Sequence, residues 1–156
     1  MKLYLIIISV SLLFLSSCLE EKPDYEFMDQ EVKGMINSED WNYRAGVSRL
    51  KPGTTDTLAI GLYNRLLDNT CSYAISEIGV RFEIPDEVGV YRLRGGFSNR
   101  MGVTLYYSKT EFIALNGAIE IISIDKENSI LEGRIDATYN NKNNINGYFT
   151  IGYCKD

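Results

Sequence analysis

Three arginines surround a glycine pair. Arg92, Arg94 and Arg100 flank Gly95-Gly96, and planar guanidinium groups so grouped are candidates for a bidentate clamp on a carboxylate or phosphate. The glycines themselves read as a tight turn, since the Walker lysine-serine spacing and the G-x-G-x-x-G fingerprint are both missing. Arginines alternating along an edge strand would also simply be solvated. Among the carboxylates, Glu132 and Asp136 share the polar face of one strand with Arg134 between them. Four strand residues span about 13 Å, too far for the roughly 5 to 9.5 Å at which two carboxyl groups cooperate in glycoside cleavage. Pairs from different strands, such as Glu83 with Glu120, are not placed by sequence. Asp125-Lys-Glu-Asn-Ser129 offers oxygen ligands without the order of an EF-hand loop, and reads as a hairpin turn. Eleven tyrosines and Trp41 are the most unusual feature. Trp41, Tyr106, Tyr107 and Tyr148 are the candidate ligand-binding rings, because tyrosine and tryptophan present apolar area with a polar tip to a sugar or a protein. In a regular strand Tyr106 and Tyr107 point to opposite faces, as do Tyr148 and Phe149. Sheets also use tyrosine on both faces for packing alone.

The composition removes several chemistries. There is no histidine, which excludes a Ser-His-Asp triad, a Cys-His pair and imidazole metal ligands. Lys plus Arg number 16 against 21 Asp plus Glu, a formal charge of −5 with no basic run, so no nucleic-acid partner is expected. No residue spacing singles out a catalytic set, and the chain is expected to be non-enzymatic, with no cofactor and no metal. At 156 residues, 45% apolar and 24% charged with three prolines, it reads as one globular domain.

The elements that must hold these residues are strands. In Leu131-Glu-Gly-Arg-Ile-Asp-Ala-Thr-Tyr139, residues Leu131, Ile135, Ala137 and Tyr139 share one face and Glu132, Arg134, Asp136 and Thr138 the other, the period of a half-buried strand. Ile145, Phe149, Ile151 and Tyr153 continue the pattern beyond an asparagine-rich hairpin loop, Asn140 to Asn144, whose residues tolerate positive φ. With Gly117 to Ile124 they make a three-stranded meander. Earlier strands are predicted at Lys33 to Asn37, Asn42 to Leu50, Thr57 to Tyr63, Ile78 to Ile84, Tyr91 to Leu93 and Val103 to Tyr107. Turns at Lys51-Pro52-Gly53, Pro85-Asp86-Glu87 and Gly95-Gly96 separate them. Leu66 to Tyr73 is ambiguous between coil and a short helical turn. The fold class expected is all-β, an antiparallel β-sandwich or open β-barrel ending in the meander.

The N-terminus carries an address. Met1-Lys2 is followed by an apolar run, Leu3 to Leu15, too short at about 20 Å of helix for a comfortable membrane span and laid out like a secretory signal. Leu15-Ser16-Ser17-Cys18 resembles the lipobox of bacterial lipoproteins, in which the cysteine becomes the lipidated N-terminus. The resemblance implies a signal peptide at 1–17, lipid on Cys18 and attachment to the membrane, several acyl chains giving stable anchoring. Leu19 stands where an aspartate would resemble an inner-membrane retention signal, which points to the outer membrane. Glu20-Glu21-Lys22 resembles the surface-export signals of Bacteroidota lipoproteins. Residues 18–32 are expected to be a flexible tether and 33–156 a single β domain. Loss of residues 1–17, Lys2 among them, would leave 139 residues with a formal charge of −6. With Cys18 assigned to lipid, Cys71 and Cys154 remain as an even pair in an oxidising compartment, and a disulfide between them is expected.

Gly34-Met-Ile-Asn-Ser-Glu-Asp-Trp41, Gly89-Val-Tyr91, Asn116-Gly-Ala-Ile-Glu-Ile121, Leu131-Glu-Gly133 and Gly147-Tyr-Phe149 together resemble small Bacteroidota lipoproteins of unknown function. The resemblance implies an all-β lipoprotein and carries no catalytic residue across. Two roles follow as expectations. One is a lipid-anchored accessory module binding an envelope protein or glycan. The other is an immunity- or inhibitor-type lipoprotein that neutralises a toxin or lytic enzyme.

Overall fold

The computed structural model describes residues 24–68, 71, 75, 79–95 and 101–154. Its strands are β1 (Lys33–Ile36), β2 (Glu39–Asn42), β3 (Ala45–Leu50), β4 (Thr57–Tyr63), β5 (Gly79–Pro85), β6 (Gly89–Arg92), β7 (Val103–Tyr107), β8 (Thr110–Ala114), β9 (Asn116–Asp125), β10 (Ile130–Asn140) and β11 (Asn143–Cys154). Nine of them form one curled sheet in the order β6-β9-β10-β11-β3-β4-β5-β7-β8, a half-barrel, and the β1–β2 hairpin attaches to β11. The all-β expectation holds. One pair departs from the antiparallel rule, β11 running parallel to β3 with Gly152 opposite Val47.

The alternation read in the last three strands fixes their faces. Leu131, Ile135 and Ala137 on β10 and Ile145, Phe149 and Ile151 on β11 are buried, with Leu131 opposite Ile151 and Ala137 opposite Ile145. Tyr139, placed inward by the same alternation, is exposed near the end of β10. The asparagine loop is shorter than expected, since Asn140 pairs with Asn143 and leaves only Asn141 and Lys142. No residue of that loop has positive φ. Asn140 works through its side chain, whose Oδ1 accepts the Lys142 N–H at 2.9 Å and an Asn143 Nδ2–H at 3.0 Å, an alternative to the left-handed backbone. The Asp125–Ser129 turn combines both devices, the Asp125 carboxylate accepting the N–H groups of Glu127 and Asn128 while Ser129 has a φ of 60°.

The sheet curls far enough to bring β8, at one end, against β10. Phe82 on β5 meets Phe149 on β11 edge-on at 6.1 Å, and Phe112 on β8 lies 5.8 Å from Tyr139 on β10. The main core fills the curl. Strand β4 has no alternation because it is buried on both faces. Leu58, Ile60 and Leu62 enter the main core, while Tyr63 packs with Val47 and Cys154 on the other side, against Leu67 and Ile75. There Cys71 and Cys154 are bridged, with Cα atoms 5.4 Å apart and a sequence separation of 83.

Two strands, β2 and β8, were not anticipated. The single strand predicted from Asn42 to Leu50 is interrupted at Tyr43-Arg44, and Asn42 belongs to β2. The N-terminal segment also departs from expectation. Residues 24–32 were assigned to the tether, yet from Glu26 onward they lie on the outer face of the meander. The Glu26 N–H donates to Asp136 Oδ2 at 3.1 Å, the Met28 N–H to Asn146 Oδ1 at 2.9 Å and the Val32 N–H to Tyr148 O at 3.0 Å. Val32 itself is 1% exposed in the core. Backbone N–H groups of a segment whose composition reads as a linker are here met by partners on β10 and β11.

Candidate functional site

The β1–β2 hairpin turns on Asn37-Ser38, both with positive φ (55° and 67°), the geometry of a two-residue turn that suits the twist of the flanking strands. Ile36 pairs with Glu39 and Gly34 with Trp41, so Ile36, Glu39 and Trp41 share one face of the hairpin. That face turns toward the end of β7. Ile36 and Trp41 are buried, and Glu39, nearest the turn, remains exposed and accepts a hydrogen bond from the Tyr107 O–H.

A cleft of about 190 Å³ opens there, bordered by Ile36, Glu39, Asp40 and Trp41 of the hairpin, by Tyr106, Tyr107 and Ser108 at the end of β7, and by Asn64 and Gly79. Tyr106 and Tyr107, adjacent in sequence, both border it at the end of β7, where the next residue, Ser108, has a φ of 55°. Three of the four aromatic residues picked out by sequence thus come together, although Trp41 is separated from the tyrosines by more than sixty positions. Trp41 corrects one expectation: at 5% exposure it is a core residue and offers no open ring face for stacking. The hydrogen bond to the Glu39 carboxylate raises the Tyr107 phenol above its ordinary value. The phenol is therefore a held donor.

Tyr148 is apart from this group. It is 43% exposed beside buried Phe149, the alternation expected. It borders another cleft, of about 410 Å³, with Glu31, Lys33, Tyr43 and Arg44. There burial, then the charge of Glu31, push Tyr43 up to about 12.

The arginines are dispersed in their contacts. Arg92, at the end of edge strand β6, lies over the Tyr25 ring at 5.5 Å and 4.0 Å from the Asp24 carboxylate. Arg94 exchanges backbone hydrogen bonds with Met101. Arg100, Gly96 and the lipobox with Cys18 lie outside the described residues. The carboxylates weighed for catalysis each have a local partner: Glu132 accepts from Ser123, Glu120 pairs with Arg134 at 2.7 Å, and Glu83 pairs with Lys51 at 2.7 Å. Asp136 accepts the Glu26 N–H, and burial holds its carboxyl above the ordinary range.

Sequence reasoning missed Glu39, Asp40 and Ser108. The Asn37-Ser38 turn was the available signal, since it would have separated β2 and shown Glu39 and Trp41 on one face. No protein-family model matches the chain, and neither does any curated protein or solved structure.

Proposed function

We propose that this chain is a non-enzymatic binding protein of the bacterial cell envelope, anchored at the outer membrane by lipid on Cys18 and recognising a partner through the cleft between the β1–β2 hairpin and the end of β7. The observation that carries the reading is the convergence of Trp41, Tyr106 and Tyr107 beside Glu39 in one open cleft. Aromatic groups with a polar tip are typical anchors of recognition sites. The signal-like run Leu3 to Leu15 and Leu15-Ser16-Ser17-Cys18 support the anchor.

Mass spectrometry of the mature N-terminus tests the anchor: lipid on Cys18 is expected, and an unmodified Cys18 or intact residues 1–17 would refute it. Labelling of intact cells with a membrane-impermeant biotin reagent, with protease shaving and crosslinking in parallel, tests the binding role. A reproducible crosslinked envelope protein or glycan supports it, and its loss on Tyr107→Ala assigns it to the cleft. Absence of any reproducible partner counts against it.

The acidic body, −6 once residues 1–17 are removed, favours a second reading as an inhibitor of a basic toxin or lytic enzyme, since an acidic surface steers a basic partner. Deletion strains that survive as well as the parent beside competing cells would sink that reading.

A further inference from the structure

We infer that the hairpin cleft is a receptor for one cationic side chain, lysine or arginine, presented by a protein partner. This rests on the binding role proposed above and names its chemistry. Size is the first argument. At about 190 Å³ the cleft is below the roughly 300 to 1,000 Å³ of sites that enclose a whole small molecule, and suits a single inserted side chain. Its walls are the second argument. Ile36 and Trp41 are buried and give an apolar wall for an aliphatic stem, and Tyr106 and Tyr107 add aromatic surface of the kind that attracts an ammonium or guanidinium group.

Charge is the third argument. The Glu39 side chain, on the face shared with Ile36 and Trp41, borders the cleft, and among the described residues no lysine or arginine lines it. The Glu39 carboxylate is oriented by the Tyr107 O–H and keeps further acceptor capacity. An anionic ligand would meet the Glu39 carboxylate there. Trp41 itself shows no open face on which a sugar ring could stack.

Trp41 is the chain's one tryptophan, so its fluorescence reports on this cleft. The full chain, held in a non-ionic detergent, is titrated with end-blocked Gly-Gly-Lys-Gly-Gly and its arginine counterpart, with the norleucine and citrulline versions as neutral isosteres, and with maltose as a neutral sugar. The cationic peptides are expected to bind about two- to fivefold more tightly than their isosteres, and Glu39→Gln to lose about that factor. Added salt should weaken the cationic peptides selectively. Glu132→Gln, on the outer face of β10, should change nothing. Glu39 is exposed; an unchanged thermal midpoint confirms the fold, and Glu39→Ala stands if Glu39→Gln unfolds.

Equal binding of the neutral isosteres, a response to maltose alone, or no response to any probe would overturn the cation site. Envelope crosslinking with the same variants separates the two failures. A partner still captured by Glu39→Gln keeps the binding role and removes the cation site. Selective cation binding with no partner in the envelope keeps the site and removes the role.

Discussion

A phenol half-buried beside a carboxylate gives up its proton late, and Tyr43 is held in this way, with its O–H donating to Thr150 O at 2.5 Å and its pKa pushed up to about 12. Between pH 10 and 12 the unfolded chain has released this proton and the folded chain has kept it, so stability fully present below pH 10 is lost across that window. After solvent screening the loss is about 1 to 2 kcal/mol. Tyr43→Phe should cost about 1 kcal/mol at neutral pH through the lost hydrogen bond, and should remove this part of the alkaline fall. Urea unfolding of both chains below pH 10 and near pH 12 checks it; an equal fall in both would contradict the assignment. Asp136 makes the opposite test, on the acid side. Burial raises its carboxyl above the ordinary 3.8, so its contribution is fully present below 3.8 and is lost as pH rises through the folded value. At neutral pH the buried charge is a cost. Asp136→Asn keeps an acceptor for the Glu26 N–H and is expected to be more stable than the parent at neutral pH, with an advantage that disappears as pH falls toward 3.8. A neutral-pH loss of stability would mean that the charge itself holds the N-terminal segment.

Gly147 is where the N-terminal segment crosses β11. Its φ is +137°, and a Cβ added there would lie 2.4 Å from the Gln30 carbonyl oxygen. Gly147→Ala is expected to cost about 1 to 3 kcal/mol, and to speed hydrogen exchange at the amides of Val32 and Tyr148, which bond to this crossing. Unchanged exchange there would show that the segment is not held at Gly147. On the other side of the sheet the disulfide joins the end of β11 to Cys71 above the small cluster of Val47 and Tyr63. For a sequence separation of 83, the chain-entropy account gives about 4 to 5 kcal/mol, which the Cys71→Ser/Cys154→Ser double variant should lose in denaturant; a loss below about 1 kcal/mol would mean that native packing alone holds the segment. What could be read beforehand follows element length. Strands β9, β10 and β11 carry ten to twelve residues, enough for alternation to declare both faces. Strand β2 has four residues, of which only Trp41 is buried, and one residue sets no period. Strand β8 follows β7 after two residues, Ser108 and Lys109, a turn without the Asn-Gly or Gly signal that marks most hairpins. The cleft was unreadable for a further reason: it depends on the β1–β2 face meeting the end of β7, a contact between segments far apart in sequence.

At the scale of the whole molecule, the N-terminal segment decides how the body would stand on a membrane. A tether of residues 18–32 would let the domain range freely. Because residues from Asp24 on contact the sheet through Arg92, Asp136 and Asn146, only six positions separate Asp24 from Cys18, at most about 20 Å of extended chain. On the proposed anchoring, the body would ride close to the lipid headgroups, and a partner would have to reach the hairpin cleft near the membrane. Trp41 supplies the readout. With the lipidated protein in vesicles, a headgroup-labelled acceptor lipid should quench Trp41, and Cys18→Ser should abolish the quenching by releasing the protein. A flexible Gly-Ser insert of about 20 residues after Leu19 adds a mean span of about 25 Å, and should lower the quenching while leaving the protein vesicle-bound. Equal quenching with and without the insert would mean that the body lies on the membrane through its own surface rather than through a short tether. That outcome would move the search for a partner from the hairpin cleft to the face lying on the lipid.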